Sequence, residues 1–131
     1  MHTTPLAATL AVYRADGSVL TSPVWYRATD DLIEVVIAEG DAKLTRLGAD
    51  PRCVFMAFET SPPFRGLRIE DSATLSTDGV REARLKIASR YLGAERASRY
   101  VEERTRPGVI VRLPLASART WDLSGLLPHD P

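Results

Sequence analysis

The residues best placed to do chemistry lie in one short stretch, Glu39-Gly40-Asp41-Ala42-Lys43-Leu44-Thr45-Arg46. A β-branched run, Leu32 to Ala38, ends at Glu-Gly-Asp and gives way to an amphipathic pattern carrying Lys43 and Arg46. This predicts a strand, a tight turn, and a helix capped by Asp41 that runs to about Gly48 with Leu44 and Leu47 inward. Lys43 and Arg46, three apart, then share one face. Free backbone N–H groups at a helix start, with two cations beside them, suit a phosphate. On spacing alone, an ordinary strand-to-helix connection with solvated charges accounts for the stretch equally well.

Other chemistries are excluded by composition. The chain has 131 residues but only two histidines, His2 and His129, each close to a terminus. Its one cysteine, Cys53, sits inside an apolar run and reads as a buried, inert thiol. A Cys/His zinc site, a Ser-His-Asp triad and a Cys-His pair all lack their residues, so no metal site is expected. An enzyme built from this chain would rely on a bound cofactor for its reactive chemistry. With 17 basic and 17 acidic side chains the net charge is zero, which does not suggest a nucleic-acid or anionic-membrane partner. No apolar run approaches the roughly 20 residues of a membrane span. Met-His-Thr-Thr-Pro at the start lacks the basic and apolar regions of a secretory signal, so a cytoplasmic protein is expected.

The elements that must position Lys43 follow from periodicity. Leu6 to Arg14 and Val19 to Tyr26 flank Ala15-Asp16-Gly17, a hairpin signal. Pro23 cannot donate to a ladder, so the second strand lies at an edge or bulges there, leaving backbone that a planar ligand can approach. Leu32 to Ala38 is the third strand. Arg52 to Phe58, apolar on both faces after its first residue, is expected to be covered on both sides, by a helix, the barrel interior or a second subunit. Beyond the loop at Ser61-Pro62-Pro63, Leu67 to Leu75 reads as one strand. Val80, Ala83, Ile87, Ala88 and Tyr91 recur at helical spacing as a core stripe, and Gly93 ends that helix. A second helix covers Ala94 to Arg104, followed by strands at Val109 to Leu113 and Ala118 to Leu123. The tail after Ser124 has no pattern. Strands predominate and helices are inserted, so the fold class is mainly β, a small β-barrel with peripheral helices. One domain spanning 1–131, ordered over about 6–124, is expected.

Several segments, taken in order, resemble one family. They are the hairpin at Ala15-Asp16-Gly17, Ser22-Pro23-Val24-Trp25-Tyr26, Gly40-Asp41-Ala42-Lys43, Leu47 through Asp50-Pro51-Arg52, Pro62-Pro63-Phe64-Arg65-Gly66, Arg90-Tyr91-Leu92-Gly93 and Arg119-Thr120-Trp121-Asp122. Together they resemble the pyridoxamine-phosphate-oxidase-like split β-barrel proteins, in particular the actinobacterial flavin/deazaflavin oxidoreductases that use coenzyme F420. The resemblance implies a homodimer with two cofactors in grooves where the subunits meet. It implies that Lys43 contacts the cofactor phosphate. It further implies that Ser22, Pro23, Val24 and Trp25 line the ring, and that Ile37 and Ala38 flank the ring and ribityl chain. Arg65, Gly66 and Arg68 would lie near the groove, and Trp121 would approach from this subunit or across the interface. Each has a plainer alternative: Trp25 and Trp121 as packing aromatics, Arg65 and Arg68 as surface ion pairs.

The chain departs from the family in places. Asp41 stands where many flavin-binding relatives have Ser or Thr, and Ala42 where they have Arg. A carboxylate at the helix start repels a phosphate, and the FMN dianion should suffer more than the singly charged phosphodiester of F420. The chain also starts almost at the first strand, without the leading helix of many relatives. The leading expectation is an F420-dependent reductase that delivers a hydride to a small electron-poor acceptor. An FMN-dependent oxidase or reductase, and a non-catalytic flavin or deazaflavin carrier, remain alternatives. No catalytic side chain is assigned; Tyr26, a bound water or solvent are candidate proton sources. Without a second basic and histidine set, pyridoxamine-phosphate oxidase activity is not expected.

Overall fold

The computed structural model describes residues 6–104 and 106–122. His2, His129 and the tail beyond Ser124 lie outside them. The first hairpin joins β1 (Ala7–Tyr13) to β2 (Val19–Pro23). Its turn is built from Gly17 at φ +87° and from Asp16, whose Oδ1 accepts from the Ser18 backbone N–H at 2.9 Å and from the Ser18 hydroxyl at 2.6 Å. Alternation in β1 sends Ala8, Leu10 and Val12 into the core.

The remaining elements are β3 (Arg27–Ala28), β4 (Leu32–Ala38), α1 (Ala42–Ala49), β5 (Arg52–Phe58), β6 (Gly66–Ser72), β7 (Thr74–Ser76), α2 (Val80–Leu92), α3 (Ala94–Glu103), β8 (Gly108–Pro114) and β9 (Ala118–Trp121). They form two antiparallel sheets, in the orders β2-β1-β5-β6-β9 and β3-β4-β8-β7. Leu10, Phe55 and Ile69 of the first sheet face Ile33, Val35 and Leu113 of the second across one buried core. Helix α2 packs on β4 and β8 and so covers the other face of the second sheet. The described residues contain no helix long and apolar enough to cross a membrane.

Several sequence expectations change. The strand expected over Leu67 to Leu75 breaks at Ala73, whose N–H leaves the ladder for the Pro51 carbonyl at 2.8 Å. β6 therefore belongs to the first sheet and β7 to the second. The strand expected over Val19 to Tyr26 stops at Pro23, and the chain re-enters pairing in the second sheet as β3. The architecture is mainly β and of split-barrel type, but among the described residues no ladder closes the two sheets into one barrel. Within a single chain, Arg52 to Phe58 is covered on one side, and cover of the other would have to come from outside the chain. Cys53, Phe55 and Ala57 are buried, while Val54, Met56 and Phe58 on the outer face are half-exposed.

A buried ion triad stitches the second sheet. Glu34, 3% exposed, lies opposite Arg27 on β3 and Arg112 on β8. Its two oxygens accept from Arg27 Nε at 2.6 Å and Arg112 Nε at 2.7 Å. Burial would raise the Glu34 carboxyl, but the hydrogen bonds from Arg112 and Arg27 outweigh it and hold the group below the usual range. Because the folded value is depressed, this contribution is complete above the unfolded value of 4.5 and is lost as pH falls through the folded one. Glu34→Gln should cost about 3 kcal/mol in urea denaturation at pH 7, since it leaves two guanidiniums without their carboxylate. The gap from the native protein should shrink as the titrations are moved to acid pH.

Candidate functional site

The site begins at the corner where the chain changes sheets. Pro23 sits on the edge strand with its nitrogen facing the free edge, and one residue later the chain leaves the first sheet as Val24-Trp25-Tyr26 turns toward β3. The corner stays attached to β1 through the Val24 N–H, which donates to the Ala8 carbonyl at 3.0 Å. Arg90 of α2 clamps its far end, donating to the Tyr26 carbonyl while its guanidinium sits 4.7 Å from the centre of the Tyr26 ring. Tyr26 itself is buried, edge-on to Phe55 at 5.1 Å, and does not line the cavity beside it. As a proton source it is therefore poorly placed.

That cavity, of about 620 Å³, lies between the corner, the end of β4, and helices α1, α2 and α3. Six of the residues that the resemblance assigns to a cofactor line it: Pro23, Val24, Trp25, Ile37, Ala38 and Lys43. Ser22 does not, but it holds Lys43 in place. Lys43 Nζ is 3.2 Å from Ser22 Oγ and 3.2 Å from Asp41 Oδ2. The Lys43 side chain is only 12% exposed, so the ammonium is aimed rather than free in solvent.

Asp41 does two jobs in this corner. Its Oδ1 caps α1 by accepting from the Lys43 N–H at 2.9 Å, and its other oxygen faces the Lys43 ammonium. Burial raises its carboxyl, but the bonds from the Lys43 N–H and ammonium outweigh burial and keep it below the ordinary value. Asp41 is thus ionised at neutral pH and offsets much of the Lys43 charge. Arg46 does not add a second cation as its spacing suggested. It turns to the strand instead, where Nε donates to the Tyr13 carbonyl at 2.8 Å and ties α1 to β1.

The opposite wall is aromatic. Trp25 stacks on Tyr91 with centroids 4.9 Å apart and planes 7° from parallel, and leans on Tyr100 at 5.4 Å. Trp25 remains 37% exposed. The Tyr91 hydroxyl donates to the Leu6 carbonyl at 3.1 Å, and burial pushes its pKa up, so it stays protonated. Here the sequence reading of α2 needs correction. Its stripe is not core alone: Arg84, Ile87, Ala88 and Tyr91 line the cavity, joined by Tyr100 of α3. Helical periodicity marks the inward face but cannot say whether that face meets core or void. The segment Arg90-Tyr91-Leu92-Gly93 was the available signal.

Arg65, Gly66, Arg68 and Trp121 lie outside this cavity, along β6 and β9. Arg65 is held by Glu59 through bonds of 3.1 and 2.9 Å, and Arg68 lies 3.3 Å from Glu70. Trp121 Nε1 donates to the Phe64 carbonyl at 2.8 Å, and its ring covers Gly66 so closely that a Cβ there would collide with it. Cys53 is buried, and burial, reinforced by Asp71, pushes its thiol to about 11, as suits an inert core residue. Among the described residues no group of His, Cys, Asp and Glu side chains could hold a metal ion.

Neither a scan of protein-family models nor a search of curated proteins finds a match to the chain. Solved structures do match. A conserved hypothetical protein from Mycobacterium tuberculosis is 25% identical with a TM-score of 0.79, over 98% of this chain and 85% of that one. An F420 reductase is 21% identical with a TM-score of 0.69, over 89% of this chain and 91% of that one. A Listeria innocua protein assigned as a pyridoxamine 5'-phosphate oxidase is 14% identical with a TM-score of 0.63, over 91% and 89%. The fold is therefore that of the pyridoxamine-phosphate-oxidase-like split-barrel proteins, a fold that includes an F420 reductase.

The packing of Trp121 can be tested separately from the cavity. Gly66→Ala places a Cβ against the Trp121 ring and 2.7 Å from the Ala57 carbonyl. It should lower unfolding free energy by about 1–3 kcal/mol in a denaturant titration and shift Trp121 fluorescence.

Proposed function

We propose that this protein binds coenzyme F420 and acts as an F420-dependent reductase, transferring a hydride from the reduced deazaflavin to a small electron-poor organic acceptor. The observation that carries the reading is one cavity with a stacked aromatic wall, Trp25 on Tyr91, and an aimed cation, Lys43. Its volume lies within the range of cofactor sites, and its lining is mostly apolar with few polar groups, as such sites require. The similarity in fold to an F420 reductase supports the reading.

The lining also favours one cofactor over another. Lys43 faces an ionised Asp41, and Arg46 is committed to β1. The phosphate end therefore carries little net positive charge from α1. A singly charged phosphodiester is tolerated there, whereas the FMN dianion is repelled by Asp41. For this reason we rank FMN second.

Bound deazaflavin would supply the hydride; the chain supplies orientation and shielding. The exposed part of Trp25, backed by Tyr91, offers a flat surface for a planar ring. Val36, Ile37 and Ala38 give an apolar floor that limits water near it. The Tyr91 proton is already committed to the Leu6 carbonyl, so solvent at the cavity mouth is the proton source that breaks no existing bond. We further propose a homodimer, in which the half-exposed Val54, Met56 and Phe58 face is covered by a second copy. Arg65 and Trp121 would then reach a groove only from that second copy. A cytoplasmic setting suits the lone, unpaired Cys53.

Fluorescence titration with F420 and with FMN tests the reading. F420 should bind saturably and more tightly than FMN, and Lys43→Ala should weaken F420 binding by roughly 1.5–3 kcal/mol, the worth of a charge-assisted phosphate bond. Absence of saturable F420 binding would sink the proposal. Asp41→Ser keeps the helix cap and removes the carboxylate, so it should tighten FMN by about 1 kcal/mol and move F420 less.

A further inference from the structure

Pairing between β1 and β2 stops short of where its register leads. Leu10 faces Ser22, and the Val24 N–H donates to the Ala8 carbonyl at 3.0 Å. In an antiparallel ladder the hydrogen-bonding groups of every second residue point to the same side, so the next pair in this register is Leu6 with Tyr26. An unbroken ladder would run from the Tyr26 N–H to the Leu6 carbonyl, and from the Leu6 N–H to the Tyr26 carbonyl. Helix α2 fills both carbonyls instead. Tyr91 Oη donates to the Leu6 carbonyl at 3.1 Å, in the place of the Tyr26 N–H. Arg90 Nη1 donates to the Tyr26 carbonyl, in the place of the Leu6 N–H.

The displaced N–H reaches the same hydroxyl. Burial raises the Tyr91 pKa, and a hydrogen bond from the Tyr26 backbone lowers it in part. One oxygen thus stands between a backbone donor and a backbone acceptor that are register partners. A hydroxyl inserted between two groups that otherwise meet at about 2.9 Å roughly doubles their separation. The cavity lies at this gap. Leu6, Ala7 and Ala8 line it from the β1 side, and Pro23, Val24 and Trp25 from the other. The Tyr91 ring, stacked on Trp25 at 4.9 Å, fixes the indole beside the opening.

We infer that Tyr91 is a positioning residue, a wedge whose hydroxyl keeps the Leu6–Tyr26 seam apart and so holds open the end of the cavity that takes a planar ring. The ring rests on the cofactor reading above; the wedge does not. Without the hydroxyl, the Leu6 carbonyl and the Tyr26 N–H each lose a partner in a part-buried place, and the nearest remedy for each is the other. The ladder then closes by one more pair. Trp25, held between Val24 and Tyr26 in the chain, moves with it into the space the ring needs.

Tyr91→Phe tests the wedge, because it keeps the ring that stacks on Trp25 and removes only the hydroxyl. In the isotope-labelled protein, a scalar coupling across a hydrogen bond connects the donor nitrogen to the carbonyl carbon that accepts from it. The native protein should show no coupling between the Tyr26 nitrogen and the Leu6 carbonyl carbon, and the variant should show one. 5-Deazariboflavin, which has the ring but no phosphate, should bind the variant about tenfold more weakly, since the site is no longer held open in advance. A direct Tyr26–Leu6 coupling in the native protein overturns the proposal, whether or not the variant folds. A folded variant without that coupling overturns it as well. Coupling in the variant with unchanged affinity for 5-deazariboflavin overturns the link between the seam and the ring site. If the coupling appears as expected but neither F420 nor 5-deazariboflavin binds the native protein, the cofactor reading falls and the wedge stands.

Discussion

The corner at Val24-Trp25-Tyr26, where the chain leaves the first sheet for the second, is the constraint on which this structure turns. Its last bond to the first sheet is the Val24 N–H to the Ala8 carbonyl, while the Pro23 nitrogen, on the opposite side, faces the free edge of β2. Beyond that bond the chain turns to β3, and Trp25 is left projecting beside the end of β4. Arg90 secures the corner from α2 by holding both the carbonyl and the ring of Tyr26. The same helix supplies Tyr91, so the clamp that stabilises the corner also sets the aromatic wall of the cavity.

Electrostatics then divides the molecule into compensated and uncompensated regions. Glu34 is buried between two arginines and serves the second sheet. Lys43 is paired with Asp41, so it can recognise an anion without presenting a full unbalanced charge. Arg84 of α2, which donates to the Arg106 carbonyl, also lines the cavity.

Local chemistry was legible in the sequence wherever one residue dictates one geometry. Asp16-Gly17 closes its hairpin, Leu32 to Ala38 forms a strand with the expected bounds, and Asp41 caps α1. Pro23 lies on the edge strand β2, as its chemistry requires. What stayed hidden depends on partners distant in the chain. Arg46 and Lys43 share a helix face, yet only the nearby Tyr13 carbonyl decides that Arg46 turns away. The break at Ala73 is set by the Pro51 carbonyl, 22 residues earlier, and leaves no mark in the alternation of Leu67 to Leu75. The cavity face of α2 was hidden for the same reason: Ile87, Ala88 and Tyr91 have the spacing of a core stripe whether they meet side chains or a void.

The central claim is that a deazaflavin lies against Trp25, with its charged end at Lys43. The chain has two tryptophans, Trp25 and Trp121, so its indole N–H resonances form a two-signal spectrum that can be assigned by single substitution. Titrating F420 into the labelled protein should move the Trp25 indole signal to a saturating end point, because ring currents from a stacked planar ligand act only at short range. Saturated binding with the Trp25 signal unmoved would contradict the account.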